Sequence, residues 1–112
     1  MNYRLFDLEI DTIGDPATFN CTHRVGDGLI VRGENIFFKP GTSYFSHYAL
    51  GSLLPYIAAK QRGTSESDWM SYETDIACPD PKCGARFRFK RLGEATYSYE
   101  PINTLGDPDR QG

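Results

Sequence analysis

Three cysteines and two histidines are the residues of this chain with the most specific chemistry. Cys21-Thr22-His23 is a C-x-H pair, and Cys78 to Cys83 is a C-x4-C pair followed by Gly84. Both pairs fall in turn-rich segments beside strand-like sequence. Zinc takes four soft or borderline donors in a tetrahedron, often two from each of two loops, and three thiolates with one imidazole form a common structural set. Cys21, His23, Cys78 and Cys83 are therefore the candidate metal ligands, with Zn2+ as the implied cofactor. On this reading Gly84 frees the backbone so that its amide can approach the Cys83 sulfur. The spacings are looser than the usual C-x2-C, so a second reading stays open: three reduced, partly buried cysteines and a surface histidine. His47 competes as a ligand but reads better as a plain polar helix residue. With three protein ligands the fourth position would hold water and the metal would be chemically competent.

Other groups carry weaker signals. Asp7, Glu9 and Asp11 alternate with apolar residues and read as a solvated strand face rather than a carboxylate site. Arg86, Arg88 and Lys90 form a basic stripe, with Arg91 after it, and are the candidate partner-binding residues for an acidic surface or phosphate. Nucleic acid is disfavoured, because Phe87 and Phe89 point away from that stripe and cannot add stacking to it. Cys21 or Cys78 with His23 as base would make a nucleophile, for which sequence gives no geometry. G-x-S-x-G, H-E-x-x-H and Walker patterns are not found.

These residues must be held by a small scaffold. The chain has 112 residues and a formal net charge of −3. That length suits one domain, and about two-thirds of its surface can be buried without disulfides. An odd number of cysteines weakens a secreted disulfide framework and favours a reducing compartment. The first residues lack the apolar run of a signal peptide, and the longest apolar stretch, 48–59, is too short for a membrane span. The expectation is a cytoplasmic protein with no membrane partner.

Phe6, Leu8 and Ile10 alternate with acids and predict a first strand ended by Gly14-Asp15-Pro16. Leu29-Ile30-Val31 and Ile36-Phe37-Phe38 around Gly33-Glu34 predict a hairpin. Residues 43–62 give the one long helical pattern, with Ser43 as N-cap and Gly63 just past the end. Phe45, Tyr48, Ala49, Ser52, Leu53 and Tyr56 would form its buried stripe, and Pro55 should kink or split it. Asp68-Trp69-Met70 brings the one tryptophan toward the core. Ala85, Phe87 and Phe89 predict a strand, Gly93-Glu94 a turn, and Ala95, Tyr97 and Tyr99 the return strand of a second hairpin. The fold class is therefore α+β: a small antiparallel sheet of hairpins against one long, Pro-kinked helix, with a zinc site. A single domain spans 1–100, and 101–112 is an extended tail that a partner would order.

The pattern over 21–91 resembles an uncharacterised family of small single-domain bacterial proteins. The residues carrying it are Cys21-x-His23 with Gly26-Asp27, Tyr48-Ala49-Leu50, Leu53-Leu54-Pro55, Lys60-Gln61-Arg62, Asp68-Trp69-Met70, Cys78-Pro79-Asp80-Pro81 and Phe87-x-Phe89. The resemblance implies a short bacterial protein and no particular reaction. The C-x4-C pair also resembles, by analogy, the zinc ribbons in small subunits of multi-subunit carboxylases and decarboxylases. Together these readings predict a zinc-stabilised accessory or interaction subunit of a larger bacterial metabolic enzyme, with homo-oligomerisation left open. The alternative is a small metal-dependent lyase, isomerase or hydrolase with an open zinc position.

Overall fold

A computed structural model describes residues 1–102. In it the chain forms β1 (Asn2–Ile13), a 3-10 turn at Pro16–Thr18, β2 (Gly28–Arg32), β3 (Asn35–Phe38) and α1 (His47–Gln61). A second 3-10 turn at Trp69–Ser71, β4 (Thr74–Ala77) and β5 (Arg86–Ser98) follow. The strands make one five-stranded sheet in the order β3-β2-β1-β5-β4, with every neighbouring pair antiparallel. The α+β class and the antiparallel sheet agree with the sequence. Residues 103–112, most of the expected tail, lie outside the described residues.

The β2–β3 hairpin forms as the pattern predicts. Arg32 faces Asn35 across the turn, and Gly33 takes a φ of +59°. A positive φ at the first central position is what a two-residue hairpin asks of glycine.

The expected second hairpin does not form. β5 runs straight through Gly93-Glu94 as one thirteen-residue strand. Its partner β1 is twelve residues long and pairs with it from Ile13↔Arg86 to Asn2↔Ser98. Gly93 stays out of the left-handed region, so no hairpin turn is made there. The discontinuity felt in the sequence is a β-bulge instead. Asp7 faces Gly93 while Leu8 faces Arg91, which leaves Leu92 without an opposite number. An inserted residue of this kind re-aims the side chains beyond it.

One sheet face carries Leu8, Ile10, Leu29, Val31, Phe87 and Phe89, all buried, and α1 packs across β1 and β5 on that face. The helix buries Ala49, Leu53, Ile57, Lys60 and Gln61. That is one stripe at helical spacing, but it is rotated from the expected one: Tyr48 is 74% exposed. The helix also starts later than predicted. Its N-cap is Ser46, whose hydroxyl accepts from the Ala49 N–H. Ser43 cannot serve because the segment before the helix is already pinned. The Thr42 hydroxyl accepts the Gly28 N–H at 2.9 Å, and the Phe45 ring packs on Phe87 at 5.5 Å. Pro55 lies inside α1 without splitting it.

The C-terminal end of α1 is secured by side chains rather than by Gly63. Arg91 donates to the carbonyls of Lys60 at 2.9 Å and Arg62 at 2.7 Å, and its guanidinium lies 4.5 Å over the Phe6 ring. This satisfies carbonyls that a helix end otherwise leaves open. Lys60 itself is 1% exposed; its Nζ donates to the Tyr72 carbonyl and to Thr74 Oγ1. Met70 is buried in the following turn, whereas Trp69 is 57% exposed with its ring edge-on to Tyr56. The expectation that the tryptophan enters the core is thus corrected: the Asp68 side chain, accepting from the Met70 N–H, turns Met70 inward and leaves Trp69 outside.

The opposite sheet face is a charge lattice. Asp75 pairs with Arg88 at 2.8 Å, and Asp11 with Lys39 and, at 3.8 Å, with Lys90. Asp7 and Arg32 approach to 3.9 Å. Cross-strand opposite charges of this kind support the register. The acidic and basic stripes seen separately in the sequence therefore interleave. No helix among the described residues is long and apolar enough to cross a membrane.

Candidate metal centre

Two loops at one end of the sheet carry the four candidate ligands. The first follows the Pro16–Thr18 turn and leads into β2; it holds Cys21 and His23. The second joins β4 to β5 and holds Cys78 and Cys83. Each loop is built by local hydrogen bonds. In the second, Cys78 N–H donates to the Ala85 carbonyl and Cys83 N–H to the Asp80 carbonyl, both at 3.0 Å. Asp80 Oδ1 accepts the Lys82 N–H at 2.9 Å, which tightens the turn between the two cysteines. An aspartate bonding the backbone two residues on is a common way to make such a turn.

Two further bonds tie the loops to each other. Asn20 Nδ2 donates to Asp80 Oδ2 at 2.7 Å, and Gly84 N–H donates to the Thr18 carbonyl at 2.9 Å. The role expected of the Gly84 amide is therefore corrected, since it is spent on Thr18 and not on sulfur. Glycine is needed here for a different reason. A Cβ at this position would stand 2.1 Å from Thr18 Oγ1 and 2.7 Å from Thr18 Cβ.

The two loops bring Cys21, His23, Cys78 and Cys83 together so that all four ligand atoms lie within 4.8 Å of one another. Cys21 Sγ and Cys78 Sγ are 3.9 Å apart, and Cys78 Sγ and His23 Nε2 are 3.5 Å apart. A tetrahedral zinc with its usual bond lengths sets sulfur atoms about 3.8 Å apart and sulfur to nitrogen about 3.5 Å apart. The donor set and these two separations fit a metal of that size. The His23 ring is held edge-on against Phe87, with centroids 5.1 Å apart and planes at 84°. His47 takes no part: it is exposed at the first turn of α1 and lies against Tyr48 at 4.1 Å.

The electrostatics point the same way. Burial pushes the Cys21 thiol up to about 12, helped by the neighbouring Cys78, Cys83 and Asp80. Burial also raises Cys78. Cys83 goes the other way: burial opposes ionisation, but backbone N–H groups of Ala85, Cys21 and Asn20 donate to its sulfur and bring it down to about 7. Burial lowers His23, which keeps its imidazole neutral and able to donate a lone pair. Three crowded thiols cannot all ionise without a cation between them. A divalent metal inverts that balance and binds with release of protons.

Beside the cluster lies an open cleft of about 400 Å³ lined by Cys21, Ser46, Tyr48, Cys78, Pro79 and Asp80. Cys78 and Cys83 are buried, while Cys21 and His23 are half-buried. Sequence reasoning missed Asn20, Asp80 and Thr18 as organisers of the site. The signal that could have found Asp80 is its place two residues after Cys78, between Pro79 and Pro81.

The basic stripe sits elsewhere. Arg88 and Lys90 face acids of β4 and β1, as described above, and Arg86 is exposed at the start of β5 beside the ligand loop. Comparison with protein-family models, with curated proteins and with solved structures returned no match.

Proposed function

We propose that this chain is a zinc-stabilised interaction module serving as an accessory subunit of a larger enzyme. The observation that carries the reading is the complete donor set: Cys21, His23, Cys78 and Cys83 supply four ligand atoms within 4.8 Å. Four protein donors fill a tetrahedral zinc, and a filled site does structural work. The metal would join the Pro16–Thr18 side of the molecule to the β4–β5 loop, fixing segments far apart in the chain. Its chemistry when bound would be to hold three thiolates ionised, and the bonds from Asn20 to Asp80 and from Gly84 to Thr18 fix the loops around it.

Exposed aromatic surface supports the partner half of the proposal. Trp69 and Tyr72 stand outside the core beyond the end of α1, and Phe37 and Phe38 lie exposed on the edge strand β3. Exposed aromatics in this number are a feature of interaction surfaces. The basic residues Arg86, Arg88 and Lys90 are the proposed rim for an acidic partner, with Arg86 the one that has no ion-pair partner among the described residues.

A second reading has one observation in its favour. The cleft beside Cys21 and Cys78 would give a small substrate access to an open metal position, as a lyase, isomerase or hydrolase requires. Metal analysis of untagged protein with X-ray absorption separates the two. One zinc with three sulfur and one nitrogen neighbours supports the module. Zinc with an oxygen neighbour in place of one of these supports the enzyme, and no metal removes both.

A further inference from the structure

The three thiols of the cluster are not equivalent. Cys21 and Cys78 lie on different loops with their sulfurs 3.9 Å apart, and both line the open cleft. Cys83 is not among the residues lining that cleft, although its overall exposure of 9% is close to the 7% of Cys78. Access and pairing geometry thus select the same two residues.

We infer that Cys21 and Cys78 form a peroxide-sensitive pair whose oxidation to a disulfide displaces the metal while keeping the two loops stapled. This rests on the metal-binding reading for its metal half only. The reagent is a small hydroperoxide, which the cleft admits. Ionised by the bound metal, or by alkaline solution in its absence, the Cys21 thiolate attacks one peroxide oxygen, the O–O bond breaks, hydroxide leaves, and Cys21 becomes a sulfenic acid. The Cys78 thiolate then attacks the Cys21 sulfur, the S–O bond breaks, and a second hydroxide leaves as the S–S bond forms. Two thiolates give up two electrons, one peroxide is reduced, and the two hydroxides take up protons to become water. The sulfurs must close from 3.9 Å to about 2.05 Å.

The consequence is a substitution of one staple for another. Only Cys83 and His23 remain as donors, too few to retain zinc against a competing chelator. The new bond joins residues that are 57 apart in sequence, the same two loops that the metal joined. Cross-linking over a loop of that length restrains the unfolded chain much as the metal did.

The test is to treat the full chain, loaded with zinc, with hydrogen peroxide in the presence of a chromogenic chelator. Peptide mapping then assigns the linkage and circular dichroism follows melting. The expected result is one equivalent of zinc released, a Cys21–Cys78 linkage, one free thiol at Cys83, and a melting temperature within roughly 10 °C of the loaded form. Cys83→Ser should form the same linkage. A Cys78–Cys83 or Cys21–Cys83 linkage, sulfinic acid without a disulfide, or unfolding on release would overturn the inference. If the chain takes up no zinc, the metal reading fails separately. Peroxide treatment of the metal-free chain at alkaline pH, where the thiols ionise, then still reads the pair by the same mapping, with the same linkage for and the other linkages against.

Discussion

Gly84 lies so close to Thr18 that the two loops of the metal centre meet there without room for a methyl group. A Cβ on Gly84 would stand 2.1 Å from Thr18 Oγ1, and the Gly84 N–H already donates to the Thr18 carbonyl. Gly84→Ala must therefore push the Cys21 loop away from the Cys83 loop. The expected cost is about 1–3 kcal/mol of stability, typical of overpacking, together with weaker metal binding. Adding Thr18→Gly should recover part of both, since it removes the clashing atoms. Thermal melting and a competitive zinc titration check this; an alanine variant as stable and as tight as the parent would show that the loops do not need this contact.

Lys60 is expected to be a stability determinant rather than a reactive amine. Its Nζ donates to the Tyr72 carbonyl and to Thr74 Oγ1. Lys60→Ala leaves both without that donor and opens a void under α1, at a cost of about 3 kcal/mol. Lys60→Met fills the void and should cost less. Burial, with Arg91 nearby, lowers the Lys60 pKa below its ordinary value. The charged form is then penalised in the folded state only. That penalty is fully present below the folded pKa and is relieved as pH rises toward the unfolded value. Wild type should therefore gain stability relative to Lys60→Met over that alkaline interval, measured by urea denaturation at a series of pH values.

Asp75 gives the opposite sign. Its bonds to Arg88, at 2.8 and 3.0 Å, hold its carboxyl below the usual range. The stabilisation is present above the ordinary aspartate pKa and is lost as pH falls through the lowered one. Both side chains are more than a third exposed, so Asp75→Asn should cost less than about 1 kcal/mol at neutral pH. The difference between variant and wild type should vanish in acid below the Asp75 pKa, as denaturation at pH 7 and in acid would reveal.

Trp69 tests the partner surface. Its ring is 57% exposed and touches Tyr56 edge-on. Trp69→Ala should change stability by no more than about 1 kcal/mol, as for an exposed side chain. Loss of folding in this variant would return the residue to the core role that the sequence suggested.

The sequence carried the ligand set because metal chemistry restricts donors to a few residue types, and Cys21, His23, Cys78 and Cys83 were the ones available in turn-rich segments. It carried the strand at 85–89 and the β2–β3 hairpin because alternation and Gly33 are local signals. The unsplit β5 was not legible: Gly93-Glu94 looks like a turn unless the length of β1 is known, and pairing with β1 is a long-range fact. The start of α1 was missed for a similar reason, since Phe45 and Thr42 are held by Phe87 and Gly28. Arg91 read as one more charge of a basic stripe, and only the fold turns it onto the end of α1.

Metal content and coordination of the untagged chain, with Cys78→Ser as control, test the central claim most directly. The account predicts one zinc per chain bound by three sulfurs and one nitrogen. In Cys78→Ser the metal should be lost and stability should fall by at least about 2 kcal/mol, roughly 10 °C in melting temperature. A wild-type chain that folds to the same stability with no metal would contradict it.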